Sequence, residues 1–146
     1  MDFFNALEVS ASALTAERTR MNLISNNLAN ANTTRTPEGG PYRRKDAVFA
    51  SRPMEGSFQK KLSDASASPS AGGVEVVGIV EDQRPPRLHY DPGHPDADER
   101  GYVAMPNVSV VEEMADMIAA TRAYEANVTA AQAAKAMAMK TLEIAK

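Results

Sequence analysis

Apolar and small side chains recur at alternating spacings of three and four residues near the start of the chain. The positions are Phe4, Leu7, Ala11, Leu14, Arg18, Met21, Ser25 and Leu28. This is the heptad spacing of a coiled-coil seam, interrupted by Arg18, and it predicts a helix over about residues 3–29. The helix should end in the asparagine-rich run from Asn26 to Asn32, because asparagine tolerates left-handed backbone angles and favours helix ends.

A second seam with the same spacing lies near the C-terminus. Its positions are Val110, Met114, Met117, Thr121, Tyr124, Val128, Ala131, Lys135, Ala138, Leu142 and Ala145. Ser109 followed by Glu112 forms a capping box, so a helix is predicted over residues 109–145. Glu112, Glu113 and Asp116 occupy the first turns, where negative charge complements the helix dipole.

Both seams are narrow, and many of their positions are Ala, Ser or Thr. An isolated helix of this kind is marginal in water, because packing supplies most helical stability. The two helices therefore need partners. They can pair with each other as an antiparallel hairpin or with helices of other chains, and the pattern leaves both possibilities open.

Prolines and glycines, which disfavour helices, are confined to the middle of the chain. All nine prolines and all eight glycines lie between residues 37 and 106, so the segments 1–36 and 107–146 are uninterrupted. We predict a mainly α fold with a small β-containing insertion, in which long N- and C-terminal helices pair as an α-helical coiled coil.

Short strands, a short helix and a linker are predicted in this middle region. The predicted strands are Tyr42–Phe49, Val74–Val80, Leu88–Tyr90 and Tyr102–Met105. A short helix is predicted over Met54–Leu62, and the low-complexity run Ser63–Gly73 is predicted to be a flexible linker.

Composition excludes several classes of protein. The 146-residue chain has no cysteine, so disulfides, thiolate nucleophiles and zinc–thiolate sites are excluded. A net charge of −3 without a basic face argues against nucleic-acid binding. Arg43-Arg44-Lys45 is too short for that role, and we predict a solvated strand edge or a subunit contact there. We find no apolar run that predicts membrane insertion and no cleavable signal in the first residues.

The run from Asp91 to Glu99 is the strongest candidate for chemistry. It carries four carboxylates and His94, but the spacing is not that of a calcium-binding loop, and two prolines stiffen it. We predict a rigid solvated turn with aspartates in capping roles, and no catalytic residue, cofactor or metal. Two alternatives remain open: a metal- or substrate-binding protein that uses this loop, and a soluble helical-hairpin adaptor.

Three motifs resemble those of one protein family. Asn27-Leu-Ala-Asn30 followed by Thr33 resembles the N-terminal signature of flagellar rod, hook and hook-associated proteins, and Arg122-Ala-Tyr-Glu-Ala-Asn127 resembles their C-terminal signature. The middle of the chain is similar to that of the proximal rod members of the family. The matching residues there are Tyr90, Pro92, Gly101, Tyr102, Pro106 and Asn107.

The resemblance implies a structural subunit and not an enzyme. Members of this family are exported unfolded, without a cleaved signal peptide, through the flagellar type III export apparatus. They polymerise in the basal-body rod, within the membrane-embedded ring and the periplasm. The implied partners are copies of the chain, other rod and basal-body proteins and the export apparatus, with neither nucleic acid nor direct membrane insertion. The helical ends, 1–36 and 107–146, are implied to form a coiled-coil inner domain around the export channel, with 37–106 as the middle domain.

We expect the subunit interface to use apolar residues of both helices. They are Leu7, Leu14, Met21, Leu28, Met114, Met117, Tyr124, Val128 and Leu142. Asn27, Asn30 and Asn127 are expected to form backbone and cross-helix hydrogen bonds that fix the end and the register of the first helix. The alternative is ordinary helix termination for the first two and a solvated face for Asn127.

Overall fold

Two long helices dominate the chain. A computed structural model describes residues 3–53 and 71–144. Helix α1 spans Phe3–Ala29 and helix α2 spans Val110–Ile144, so both predicted helices are confirmed to within one residue at each end. Neither helix contains a stretch that is apolar enough to cross a membrane.

Capping residues explain where the helices begin and end. The backbone N–H of Asn30 donates to Asn26 O at 3.1 Å and that of Thr33 donates to Asn30 O at 3.0 Å, so the asparagine run closes α1 with turns. Ser109 precedes α2, and its Oγ accepts a hydrogen bond from the Glu112 N–H at 3.5 Å, as the capping box predicts.

The described parts of the middle region, residues 37–53 and 71–106, contain two separate two-stranded sheets. Strand β1 (Lys45–Pro53) pairs with β2 (Ala71–Glu81), and β3 (Arg87–Tyr90) pairs with β4 (Tyr102–Met105). The second pair is antiparallel, with Arg87 opposite Met105 and Tyr90 opposite Tyr102. The three later strand predictions are confirmed.

The first strand begins later than predicted. It starts at Lys45 and not at Tyr42, because the Tyr42 N–H donates to Thr33 O at 3.0 Å and closes the loop that follows α1. The prediction of a linker is wrong for Ala71–Gly73, which begin β2. The predicted helix Met54–Leu62 and the rest of the linker lie outside the described residues.

A close approach to α1 explains why glycine begins β2. Gly73 has a φ of +132°, and a Cβ at this position would lie 2.5 Å from Ser12 Oγ. The same Oγ accepts a hydrogen bond from the Val74 N–H at 3.1 Å. A side chain at residue 73 would displace β2 from the helix.

The described chain forms two compact units. The first unit contains residues 3–19, 48–53, 71–78 and 121–144, and the second contains residues 20–47 and 79–120. Side chains buried in the first unit are small, and the described ones are Ser10, Ala16 and Ala134. Larger apolar side chains are buried in the second unit, namely Leu23, Ile24, Val103 and Val108. The bulk of the described core therefore lies in the second unit.

Most of the buried positions on the two helices, although not Ala16 and Leu23, are displaced by one residue from the predicted seam. On α2 the buried positions Glu113, Ala120 and Ala134 each precede a predicted seam position. On α1 the same holds for Ser10, Ile24 and Asn27. The described positions of the predicted seam are themselves half-buried or exposed, and their packing against other chains stays a prediction.

Glycine is required at residue 101. Gly101 is buried with a φ of +80°, and a Cβ there would lie 3.0 Å from Tyr90 Cε2 and 3.2 Å from Pro92 Cβ. The Tyr90 ring packs edge-to-face on Tyr102, with centroids 5.3 Å apart. Residue 101 therefore has a left-handed backbone conformation, and Tyr90 and Pro92 leave little room for a Cβ atom there.

Substitution of Gly101→Ala is expected to lower the free energy of unfolding by about 2 kcal/mol, from backbone strain and steric overlap. Gly40→Ala is the matched control, because Gly40 also has a positive φ, +77°, but a Cβ added there would meet nothing within 4 Å. It should cost about 1 kcal/mol from strain alone. Urea unfolding followed by tyrosine fluorescence measures both, and equal losses would contradict the packing contribution at Gly101.

Candidate functional site

The side chain of Asn27 is completely buried, at 0% exposure, in the last turns of α1. Its Nδ2 donates to Lys45 O at 2.9 Å and to Glu113 Oε2 at 3.0 Å. Its Oδ1 accepts from the Lys45 N–H at 2.9 Å and from the Tyr42 hydroxyl at 3.0 Å. These four bonds use the full capacity of a side-chain amide. Asn27 thus joins α1 to the start of β1 and to the first turns of α2.

Glu113 is the second buried polar residue at this point, with 1% exposure. Its Oε1 accepts a charge-assisted hydrogen bond from Arg44 Nε, and Arg44 also contacts Asp46 at 3.0 Å and Asp116 at 3.5 Å. A carboxylate removed from water is strongly destabilising unless it is paired and hydrogen-bonded. Arg44 and Asn27 together satisfy Glu113.

We call Asn27, Tyr42, Arg44, Lys45 and Glu113 the Asn27 cluster. The helices run antiparallel beside it, because Arg20, earlier in α1, lies 3.9 Å from Asp116, later in α2. All of these residues belong to the second unit. The cluster therefore connects α1, the start of β1 and α2 within this unit.

Two groups of the cluster have displaced pKa values. Burial lowers the pKa of Arg44, but hydrogen bonds to Glu113 and Asp46 outweigh it, and the pKa is raised overall. Burial raises the pKa of Tyr42; Lys45 opposes this, and the negative charges of Glu113 and Glu81 add to it. Arg44 and Tyr42 therefore keep their protons at neutral pH and serve as hydrogen-bond donors.

The other two asparagines bond within their own segments. Asn30 Nδ2 donates to Asn26 O at 2.9 Å, and Asn30 Oδ1 accepts from the Thr33 hydroxyl at 3.1 Å. Asn127 Nδ2 donates to Ala123 O at 2.9 Å, one turn earlier in α2. The hydrogen bonds described for Asn30 are those of helix termination, and a cross-helix bond is described for Asn27.

The loop from Asp91 to Glu99 is ordered by its aspartates. Asp91 Oδ1 accepts from the Gly93 N–H at 3.1 Å, and Asp98 Oδ1 accepts from the N–H groups of Arg100 and Tyr102 at 2.9 and 2.8 Å. The predicted capping roles are confirmed. Within residues 3–53 and 71–144, no group of three His, Asp or Glu side chains is arranged to hold a metal ion.

The motif residues of the middle region lie around this loop and before α2. Gly101 is buried against Tyr90 and Pro92, and Tyr90 packs on Tyr102. Pro106 is fully buried directly after β4, and the half-buried Asn107 lines a cavity with Tyr42 and Arg44.

The predicted interface residues differ in exposure. Met114 and Leu142 are exposed, and Arg122 of the C-terminal motif is exposed as well. The half-buried ones are Leu7, Leu14, Met21, Leu28, Met117, Tyr124 and Val128. Their contacts with other chains stay a prediction.

Sequence reasoning identified only Asn27 as a member of the cluster, and it missed the pairing of Arg44 with Glu113. Glu113 was assigned to the helix dipole, and Arg44 was placed on a solvated strand edge or a subunit contact. The solvated edge is wrong for Arg44, which makes a buried ion pair, although the neighbouring Arg43 is exposed. One signal was available: Glu113 precedes Ala120, Asn127 and Ala134 at intervals of seven, which places it on their face.

Comparisons with known proteins match both helices. A model of the Flagella basal body rod protein family matches residues 7–35, and a model of the Flagellar basal body rod FlgEFG protein C-terminal family matches residues 99–144. Both models describe flagellar basal-body rod proteins. The first match contains Asn27, Asn30 and Thr33 of the N-terminal signature, and the second contains Arg122 and Asn127 of the C-terminal signature.

Relatives that match over nearly the whole chain identify the family more specifically. The chain is 51% identical to the flagellar basal-body rod protein FlgC of Bacillus subtilis, with 100% of both chains covered. It is 45% identical to that of Borreliella burgdorferi and 40% identical to that of Salmonella typhimurium, with 99% of this chain and 98% of each relative covered. The chain belongs to the FlgC family of flagellar basal-body rod proteins.

Glu113→Ala is expected to lower the free energy of unfolding of the second unit by about 3 kcal/mol, because it removes the acceptor of Arg44 Nε and of one of the two Asn27 Nδ2 hydrogen bonds. Glu112→Ala is the matched control, since Glu112 is the exposed neighbour in the same turn, and it should change stability by about 0.5 kcal/mol. Urea unfolding followed by tyrosine fluorescence measures both. Equal, small effects would contradict the importance of the buried carboxylate.

Proposed function

We propose that this chain is a structural subunit of the proximal flagellar rod. It polymerises through its two terminal helices and forms part of the drive shaft around the export channel. The observation that carries the proposal is identity of 35% to 51% with rod proteins named FlgC, over essentially the whole chain. The proposed location is the basal-body rod, within the membrane-embedded ring and the periplasm.

Exposed apolar side chains on α2 support assembly through the helices. Val111 is 78% exposed and Leu142 is 71% exposed, and Ile118 and Ile144 are also largely exposed. Large apolar side chains exposed along one helix favour contact with other proteins. The proposed partners are copies of the chain and other rod and basal-body proteins, reached after export through the type III apparatus without a cleaved signal peptide.

The small side chains buried in the first unit support folding that is completed on assembly. Ordering a helix loses conformational entropy, and burial of serine and alanine recovers little of it. In the proposed rod, neighbouring copies supply the missing contacts. The helical segments 1–36 and 107–146 then form the inner coiled-coil domain and 37–106 forms the middle domain.

Amide hydrogen exchange on dilute monomer is expected to separate the two units. Residues 3–19 and 121–144 should exchange rapidly, because their unit buries small side chains, whereas residues 20–31 and 102–120 should be protected by the larger core and the Asn27 cluster. Assembly should protect the first set. Full protection of both sets in the monomer would contradict folding on assembly and would favour a self-contained helical-hairpin adaptor.

Leu142→Asp is expected to abolish rod assembly and motility while the monomer keeps its stability, because Leu142 is exposed in the single chain. Leu28→Asp should also abolish motility, with some loss of monomer stability because Leu28 is half-buried. Motility in soft agar and immunoblotting of purified basal bodies measure assembly, and cellular protein level measures synthesis.

Thr141→Asp is the matched control for Leu142→Asp. Thr141 is the exposed neighbour outside the predicted seam, and its hydroxyl donates to Met137 O in the same helix. The control strain should be motile. A motile Leu142→Asp strain would refute an interface at that residue, and a fully motile strain that lacks the whole gene would refute the rod function.

A further inference from the structure

The heptad faces of the two helices do not by themselves specify one alignment. The buried positions include Ser10 and Ala16 on α1 and Ala120 and Ala134 on α2. A slip of one heptad moves a helix by about 10 Å and keeps the heptad spacing of its buried face, although it brings Glu113 or Asn127 to the place of Ala120 on α2 and Ala16 to the place of Leu23 on α1. If many copies assemble side by side, as the proposed function requires, each helix meets many equivalent partners.

The Asn27 cluster makes one alignment of α1 with α2 different from the others. Glu113 is followed at intervals of seven by Ala120, Asn127 and Ala134, none of which carries a carboxylate. A slip of α2 by one heptad would place Ala120 where Glu113 accepts from Asn27 Nδ2, leaving the carboxylate without Arg44. Pairing of α2 with α2 would bury two carboxylates on apolar faces without that guanidinium.

The start of β1 is a third segment that takes part in the cluster, and it further disfavours other alignments of the two helices. Asn27 holds the N–H and the C=O of Lys45, and Arg44 is the residue before it, so β1 is fixed to the same point as both helices. Two conditions must therefore be met together: the amide of Asn27 must face the start of β1, and the Glu113 carboxylate must lie between that amide and Arg44.

We infer that the Asn27 cluster is a register lock, which selects one antiparallel alignment of α1 with α2 and rejects slipped and like-with-like pairings. The inference rests on the proposed function for its purpose, since misaligned helices would present the exposed α2 side chains at the wrong height to neighbouring copies. A single buried polar residue fixes register in coiled coils by the same physics, because every other alignment leaves it unsatisfied.

The absence of cysteine allows the register to be measured directly in the full chain. Cysteines introduced at the exposed positions Asn22 on α1 and Ala119 on α2 carry spin labels, and pulsed electron resonance gives the distribution of distances between them. The unsubstituted cluster should give one narrow distance. The apolar replacement Asn27→Leu, Arg44→Met, Glu113→Leu should give several distances, which correspond to axial displacements of α2 along α1 by about 10 Å, one heptad of helix.

Leu23→Ala is the matched control. Leu23 is buried in α1 beside the cluster, and its truncation should reduce stability while the single narrow distance is kept. A single, unchanged distance in the apolar replacement would overturn the lock, because core packing would then set the register. Several distances in Leu23→Ala would also overturn the register lock. The alignment of the helices would then depend on overall stability and not on the Asn27 cluster.

If the apolar replacement does not fold, a second pair of variants tests the register lock. Asn27→Asp places a second carboxylate against Glu113 and should broaden the distance distribution or produce dimers. Adding Glu113→Gln restores a donor opposite the new carboxylate, while Lys45 O still lacks the donor that Asn27 supplied, and should return part of the molecules to the original distance. Failure of this rescue would overturn the lock. The measurement is made on purified chain, so it fails or succeeds independently of the motility of Leu142→Asp.

Discussion

A carboxylate that leaves water must be paired, and Glu113 imposes that requirement at the start of α2. Arg44 supplies the opposite charge and Asn27 supplies a hydrogen bond, so two distant parts of the chain converge on one side chain. Asn27 in turn must satisfy all of its own hydrogen-bonding capacity, and it does so with the backbone of Lys45 and the hydroxyl of Tyr42. The loop after α1 therefore has to return to the helix that it leaves.

Each helix has two different sides. The side buried within the chain includes small and polar residues, such as Ala120 on α2 and Asn27 on α1, and on α1 it also includes Leu23 and Ile24. On α2, large apolar side chains such as Val111 and Leu142 lie on the exposed surface. The contact that defines the single chain and the contacts proposed to build the rod therefore draw on different residues of the same helix.

Local signals in the sequence predicted the parts of the fold that local interactions determine. The capping box at Ser109, the asparagine run after α1 and the β-branched residues of β2 gave the helices and three of the strands. The start of β1 was missed because a hydrogen bond from Tyr42 to Thr33 decides it. The pairing of Arg44 with Glu113 was missed because the two residues are far apart in sequence. Ala71–Gly73 resembled a linker because the close approach of Gly73 is to Ser12, which belongs to another element.

The small side chains buried in the first unit have a consequence for nucleation. A chain whose helix ends gain most of their stability from neighbours has little tendency to start a filament in free solution, since two such chains must both be ordered before either is stabilised. An existing end already presents ordered helices, so addition there requires the ordering of one chain only. In the proposed rod, growth is then confined to the tip of a structure that is already present, and the small size of the buried Ser10, Ala16 and Ala134 side chains contributes to this confinement.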